Sequence, residues 1–397
     1  MRAVVGGFIV GAAALGGGGA GQLPRAPAGW PAVEQIYHQQ IQAAGIVGSS
    51  LVLVRDGAVV ARAVDGYQDL DAKRPVDADT IYHWASITKM FTGIAVMQLR
   101  DRGLLSLDDP VVKHVPEFRQ VHNPYGDISQ VTIRHMMTHS SGLRAPTWPW
   151  GGDQPWHPFE PTRWEQLVAM LPYTQLNFAP GTKYSYSNPG VIFLGRIIQA
   201  LSGEDYEIYV TKNILMPLGM HASFFDRAPY HLRAQRSHSY SRTDSGLVEG
   251  RFDFDTGITV SNGGLNAPLG DMAKYLAFLV GDSRTPVYDV VLKRSSLEDM
   301  WKPHIRASDG EGASGSAAQA GLSFFVERHQ GLDFIAHSGD QNGFISHFYL
   351  HRPTRTAYIV SFNTDVSASK TNPSRPTTRQ VDAVLRDAII REVIGAR

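Results

Sequence analysis

Ser86-Ile87-Thr88-Lys89 places a hydroxyl and an amine three residues apart. On a helix that spacing is nearly one turn, so the two side chains leave the same face. A serine hydroxyl is a weak nucleophile until a base takes its proton. A lysine can be that base if desolvation and cationic neighbours keep it neutral. If Ser86 also begins the helix, the free N–H groups there stabilise a developing anion. The pattern recurs at Ser367-Ala368-Ser369-Lys370, in a polar stretch with no apolar stripe, and that copy reads as a solvated loop. By itself the motif decides little.

Two further clusters could complete the chemistry. In Tyr186-Ser187-Asn188, after Pro180-Gly181, the tyrosine oxygen can relay protons to a leaving group. Asn188 can hydrogen-bond both Lys89 and a substrate carbonyl. Taken alone, the same residues read as a packed tyrosine in the loop before a helix from Val191. His337-Ser338-Gly339 ends a strand before Asp340-Gln341-Asn342-Gly343. A strand edge can bond an extended substrate backbone, and Gly339 permits close approach. The N–H groups of Asp340 and Ser86 could then form an oxyanion hole. His329-Gln330-Gly331 has the same His-x-Gly spacing but reads as a turn between strands.

These residues need a scaffold, and the patterning supplies one. Trp30 to Ala44 reads as a helix. Ser49 to Val54 and Ala58 to Val64 read as strands, with Arg55 leading into Asp56-Gly57, a two-residue hairpin turn. Ser86 to Arg102 carries an apolar stripe at Ile87, Met90, Phe91, Ile94, Met97 and Leu99, and Gly103 stops it. Helical stretches follow at Thr132 to Thr138, Trp164 to Met170, Val191 to Leu201 and Leu269 to Val280. A second block of strands covers Leu322 to Arg328, Leu332 to His337, Phe344 to Leu350 and Ala357 to Phe362, before a helix over Thr378 to Ile394. The expected fold class is α+β: an antiparallel sheet built from both ends of the chain, flanked by N- and C-terminal helices and interrupted by a mainly helical insertion. We expect the sheet subdomain to comprise about 30–85 and 285–397, and the helical one about 86–284.

Composition narrows the partners. Lys plus Arg and Asp plus Glu number 37 each, so the formal charge is zero and the basic excess of a nucleic-acid binder is missing. A small molecule or short peptide is the expected partner, with no nucleic acid. The chain has no cysteine, which excludes thiolate catalysis and Cys-based zinc sites. Arg2, the apolar run Ala3 to Leu15 and the small residues to Ala20 resemble a secretory signal peptide, so residues 1–20 suggest export to the periplasm or medium, with 21–29 as linker. That run is too short to span a bilayer. Gly16, Gly18 and Gly21 match a dinucleotide-binding spacing, but Gln22-Leu23-Pro24-Arg25-Ala26-Pro27 cannot start the helix that motif requires.

Other chemistries fit less well. His135 and His139 stand at i, i+4, as in zinc hydrolases, yet Met136 occupies the place of the required Glu and no third ligand suggests itself. No metal and no cofactor is expected. Asp108-Asp109 reads as a cap or turn rather than a glycosidase pair. Trp148, Trp150, Trp156 and Trp164 stand among prolines and glycines, either as an aromatic lip over the site or as anchors of a surface loop.

In this order the motifs resemble the serine β-lactamase-related family: class C β-lactamases, DD-peptidases, D-aminopeptidases and family VIII carboxylesterases. Supporting stretches are Gly103-Leu104-Leu105-Ser106-Leu107-Asp108-Asp109-Pro110, Thr132 to Leu143, Pro217-Leu218-Gly219-Met220 and Gly263-Gly264-Leu265. The resemblance implies that Ser86 is the acylated nucleophile, Lys89 its activator and Tyr186 the general base and acid, with Asn188 orienting substrate. His337-Ser338-Gly339 then takes the place of a lysine-threonine-glycine triplet. A lysine there gives a substrate carboxylate a permanent charge, whereas a histidine can be neutral at pH 7. Ester or peptide hydrolysis is therefore favoured over efficient β-lactam turnover. The rival expectation is an inactive relative or sensor that binds cell-wall peptide or β-lactam without releasing it. Oligomeric state cannot be read from the sequence.

Overall fold

The computed structural model describes residues 25–145, 161–250, 252–281, 287–309 and 317–395. Residues 1–20, including two of the three dinucleotide-like glycines, lie outside them, as do Gly21, Trp148, Trp150 and Trp156.

Asp56 and Gly57 both adopt positive φ (51° and 81°), as the mirror-image two-residue turn requires. The turn folds β1 (Gly48–Arg55) against β2 (Ala58–Asp69), which continues into the short β3 (Arg74–Pro75). The rest of the sheet comes from the other end of the chain: β4 (Ile305–Asp309), β5 (Ala317–Ala320), β6 (Phe325–His329), β7 (Leu332–Gln341), β8 (Phe344–His351) and β9 (Thr356–Phe362). The nine strands are ordered β3-β2-β1-β9-β8-β7-β6-β5-β4. The ends of the chain meet where β1 runs antiparallel to β9, from Ser49 opposite Phe362 to Arg55 opposite Thr356.

Strand alternation gives the sheet two apolar faces. The long helices are α1 (Trp30–Ala44), α2 (Thr88–Asp101), α3 (Asn188–Ser202), α4 (Leu269–Val280) and α5 (Thr378–Ile389). Leu51, Leu53, Phe334, Tyr349 and Tyr358 pack under Val33, Tyr37 and Ile41 of α1 and Val381 and Leu385 of α5. Val52, Val54, Ile335, Phe348 and Ile359 face a larger core shared with α2, α3 and α4. α2 is buried on every side from Thr88 to Leu99. Its Phe91 stacks on Tyr275 of α4 with centroids 4.2 Å apart, so Phe91→Ala would cost about 3–5 kcal/mol. The expected helical segment included α4, but α4 packs directly on β1 and β9. Among the described residues no helix is long and apolar enough to cross a membrane.

Several boundaries differ from the sequence expectation for local reasons. β7 continues to Gln341 because Asn342 and Gly343 (φ 50° and 87°) make another two-residue turn. β6 starts at Phe325, since Ser323 has φ 60° and breaks the extended chain before it. α3 starts at Asn188, where Ser187 Oγ accepts the Gly190 N–H at 3.1 Å as a cap. The final helix loosens into a π turn over Ile390–Ile394.

Candidate active site

Ser86 sits at a sharp strand-to-helix junction. The strand Ile81–His83 pairs with Leu265–Pro268, and a single 3₁₀ turn, Ala85–Ile87, leads into α2. Ala85 has φ 48°, a left-handed conformation that costs a non-glycine residue about 1–3 kcal/mol. Neighbouring bonds hold it there. Trp84 is wholly buried, donating its indole N–H to Ala267 O (2.8 Å) and its backbone N–H to Leu265 O (2.9 Å). Thr88 Oγ1 donates to Ala85 O at 2.6 Å and accepts from Leu265 N at 3.1 Å. The junction aims Ser86 outward and leaves its N–H in the first turn, where no intrahelical carbonyl is available.

Lys89 follows one turn later and is 1 % exposed. Its Nζ lies 3.0 Å from Ser86 Oγ and 2.8 Å from the Asn262 carbonyl, to which it donates. Burial holds its pKa well below the ordinary lysine value. The neutral amine so favoured has a lone pair for the serine proton. Asn262 also donates its side-chain N–H to the Asn188 carbonyl at 3.4 Å, which ties the start of α3 to the lysine.

Tyr186 closes the triad. Its hydroxyl shares the cleft with Ser86, and Lys89 Nζ lies 4.9 Å from its ring centroid. Burial raises the phenol above its ordinary pKa, outweighing the opposing effect of the nearby Ser86 hydroxyl, so it holds its proton. His139 backs the ring at 4.4 Å, and its Nδ1 accepts the Ser187 N–H at 3.1 Å. An imidazolium has no acceptor, so this bond requires a neutral ring. Burial, then the nearby Lys89 and His337, push the His139 pKa well down.

β7 forms the opposite wall. β6 pairs with it only as far as Phe325 opposite Ala336, so His337 to Gln341 have an open edge on that side. The tight turn makes Gln341 and Phe344 a hydrogen-bonded pair, and antiparallel alternation then directs the N–H and C=O of Asp340 and Ser338 toward the open edge. A Cβ on Gly339 would stand 2.3 Å from Trp84 O and 2.5 Å from Ser346 Oγ, so only glycine lets the strand lie against the turn that carries Ser86. His337 is buried, with Nδ1 2.8 Å from Ser338 O. The nitrogen facing a carbonyl carries the hydrogen, which leaves Nε2 with a lone pair and no partner. Burial first, then Lys89, pull the His337 pKa down to about 3.

One cleft of about 640 Å³ is lined by Ser86, Tyr186, Asn188, His337, Ser338, Gly339 and Asp340, with Lys89 beneath it. The structure therefore gathers every residue nominated from the sequence. It adds His139, which the sequence offers only as half of a zinc-like histidine pair and within a family-like stretch, and three groups that no motif flags. Glu327, His347 and Asp382 line the cleft's polar end, and they escape a motif search because three separate elements supply them. His347 Nδ1 lies 2.7 Å from Asp382 Oδ2. Against its burial, Asp382 and Glu327 raise the His347 pKa to about 9, so it is an imidazolium.

The decoys separate cleanly. The expected helix Thr132 to Thr138 is only Ile133–Met137. His135 caps its start, accepting the Thr132 N–H at Nδ1 (3.2 Å), while His139 lies beyond its end with φ 54°, so the two do not share a helical face. Among the described residues no cluster of three or more His, Asp or Glu could hold a metal. Asp109 Oδ2 accepts the Ser106 N–H at 3.0 Å, as a turn residue does, and Asp108 makes a paired contact with Arg134. Ser369 and Lys370 bind Asp244 in a loop. Gln330 and Gly331 make the turn between β6 and β7. Trp164 packs on Phe193 of α3 and under Arg196, outside the cleft lining.

Comparison with known proteins identifies the family and the fold. Residues 33–383 match the Beta-lactamase family model. Protein flp of Staphylococcus aureus (strain N315) is 34% identical over 193 residues, covering 48% of this chain and 38% of that protein. Beta-lactamase-like protein 4 of Dictyostelium discoideum is 27% identical over 367 residues, covering 85% of this chain and 60% of that one. The chain thus spans less than two thirds of each of these curated relatives. Among solved structures, the octameric penicillin-binding protein homologue from Pyrococcus abyssi superposes with a TM-score of 0.71 at 30% identity, covering 84% of this chain and 73% of that one. The D-amino acid amidase from Ochrobactrum anthropi SV3, at 21% identity and TM-score 0.73, shares the fold over 93% of this chain and 99% of its own. With the model match over most of its length, the chain belongs to the Beta-lactamase family.

Proposed function

We propose that this chain is a serine hydrolase that opens an ester or amide bond through an acyl-enzyme on Ser86. The observation that carries this reading is the placement of Lys89 Nζ 3.0 Å from Ser86 Oγ, buried and held by a neutral carbonyl. In the proposed cycle Lys89 takes the Ser86 proton as Oγ attacks the substrate carbonyl carbon. The oxyanion forms between the N–H groups of Ser86 and Asp340, which are fixed before the reaction begins. Tyr186, protonated at rest, gives its proton to the leaving amine or alcohol and is reprotonated from Lys89. Water then attacks the ester of Ser86, its proton passes to the same pair, and Ser86 regains its hydrogen. Lys89 and Tyr186 share one proton economy and titrate as a unit. Asn188 orients the substrate at the start of α3.

The neutral His337 favours esters and amides over β-lactams, because it offers no fixed charge to a substrate carboxylate. Intact-protein mass spectrometry after brief exposure to an activated ester and to a penicillin is the test, with Ser86→Ala alongside. An acyl adduct on the unaltered protein alone supports the reading, and its lifetimes rank the substrate classes. Equal turnover by Ser86→Ala refutes the nucleophile. An adduct that never clears favours a sensor.

A further inference from the structure

His83 ends the strand Ile81–His83, three residues before Ser86, and is buried outside the cleft lining. Its ring joins three segments that serve the proposed reaction. The first is its own strand, which delivers Ser86 through the turn at Ala85. The second is 262–266, whose Asn262 carbonyl accepts from Lys89 Nζ. Asn266 of that segment places its Oδ1 3.1 Å from His83 Nδ1. The third is the end of β7, where Gln341 Oε1 lies 3.0 Å from His83 Nε2. Gln341 directly follows Asp340, whose N–H is one of the two proposed oxyanion donors.

The partners decide which nitrogen carries the hydrogen. Asn266 Nδ2 donates to Asp226 O at 3.0 Å and to Gly264 O at 3.2 Å, so that amide cannot turn and its oxygen must face the ring. His83 Nδ1 therefore donates. Burial, then the Arg236 guanidinium, push the His83 pKa down to about 4, so the ring is neutral and Nε2 carries a lone pair. The Gln341 side-chain amide makes no other hydrogen bond among the described residues, so it is free to turn its N–H to that lone pair. Packing keeps the ring in place: Phe254 meets it edge-on with centroids 4.7 Å apart. A Cβ on Gly263 would stand 2.8 Å from Gln341 Oε1, so the last side chain of β7 lies directly on the segment that holds Lys89. The end of β7 needs such a restraint, because from His337 to Gln341 it pairs with β8 and not with β6.

We propose that His83 is a positioning residue: through Asn266 and Gln341 it holds the Ser86 turn, the Lys89 anchor and the Asp340 N–H at their working separation, although it touches no substrate. The proposal rests on the Ser86 acyl-enzyme reading and assigns part of that site's precision to a side chain behind the cleft. The two bonds matter for rate because the oxyanion donors sit on separate elements, Ser86 at the start of α2 and Asp340 on β7, and the ring bridges them from behind.

The test follows acylation of the full chain by an activated ester, with mass spectrometry reading the rate at saturation and the ester concentration at half-saturation. His83→Phe keeps a ring and removes both bonds. Gln341→Ala removes only the tether to β7, and it provides a second variant should His83→Phe fold poorly. Each should slow acylation at saturation by about 10- to 100-fold, as a displacement of up to about 1 Å does in such a site. The half-saturating concentration should stay nearly unchanged, because the ground-state contacts with the ester remain. The two substitutions combined should be no slower than His83→Phe alone, since both act through one tether. Normal saturating rates in the folded variants overturn the proposal, whatever happens to the thermal midpoint. Losses confined to half-saturation, or multiplying in the double variant, overturn it as well. Failure of the underlying mechanism looks different: Ser86→Ala would then turn over the ester as fast as the unaltered protein.

Discussion

The ring of His139 lies against that of Tyr186, with centroids 4.4 Å apart and planes 28° from parallel, and the chain on either side of the tyrosine is tied to the same histidine. Ser185 donates its N–H to His139 O at 2.8 Å, and Ser187 donates to His139 Nδ1 at 3.1 Å. One neutral side chain in a left-handed conformation thus fixes both the backbone and the ring of the proposed proton donor. His139→Phe keeps a ring but leaves the Ser187 N–H without an acceptor. His139→Asn keeps an acceptor and tolerates positive φ, but gives up the stack. Each should lower kcat by about 10- to 100-fold with a smaller change in KM. Combined with Tyr186→Phe, neither should lower kcat further, because a positioning residue acts only through what it positions. Independent, multiplying losses would reduce His139 to a packing role.

Lys89→Arg separates charge from proton transfer. Arginine keeps the cation in any accessible pH range and cannot act as a base. If burial makes Lys89 the acceptor of the Ser86 proton, this variant should acylate about 10²- to 10⁴-fold more slowly than the unaltered protein. The rate of ester adduct formation by mass spectrometry reads it directly. Near-normal acylation would mean that the lysine serves as a fixed charge.

Two sets of buried histidines pull folded stability in opposite directions as the pH changes. His83 and His337 are buried neutral, with pKa values pushed down to about 4 and 3. Below pH 6.5 the unfolded chain takes up protons that these rings refuse, so folded stability falls as the pH drops through that range. His347 behaves oppositely. Its pKa, raised to about 9, gives stability that is complete below pH 6.5 and is lost as the pH rises to 9. The loss is on the order of 3 kcal/mol at most. Buried Lys89, with its pKa held well below the ordinary lysine value, gains stability over the same alkaline range. The His347 limb is therefore read as a difference: from pH 6.5 to 9 the thermal midpoint of the unaltered protein should fall relative to that of His347→Gln. A constant difference across that range would show that His347 is not the group responsible.

The sequence was most legible where one local pattern did one job. Asp56-Gly57 announces its hairpin, the stripe from Ile87 to Leu99 announces α2, and serine–lysine spacing on that stripe brings Ser86 and Lys89 to one face. The apolar pattern of β7 ends at His337 although the strand runs to Gln341, because Ser338 to Asp340 edge a cleft instead of a core. His139 was hidden for another reason. Its i, i+4 relation to His135 suggested a shared face, which exists only if the helix persists, and the helix stops at Met137. The polar end needed β6, β8 and α5 to meet, a fact of topology that no local window contains.

Gly339→Ala tests whether the close approach of β7 to the Ser86 turn matters for function. The added carbon would stand 2.3 Å from Trp84 O and 2.5 Å from Ser346 Oγ. Trp84 O cannot retreat easily, since its residue is anchored through both the indole N–H and the backbone N–H. The strand must move instead, carrying the Asp340 N–H away from the Ser86 N–H. A displacement of about 1 Å in such a site costs on the order of 10²-fold in rate. The expected outcome is a folded protein, with most of the thermal midpoint retained because the edge beside His337 to Gln341 is already open, and acylation slowed about 100-fold. Full activity in a folded Gly339→Ala variant would mean that the oxyanion is stabilised elsewhere, and Asp340 would lose its proposed role.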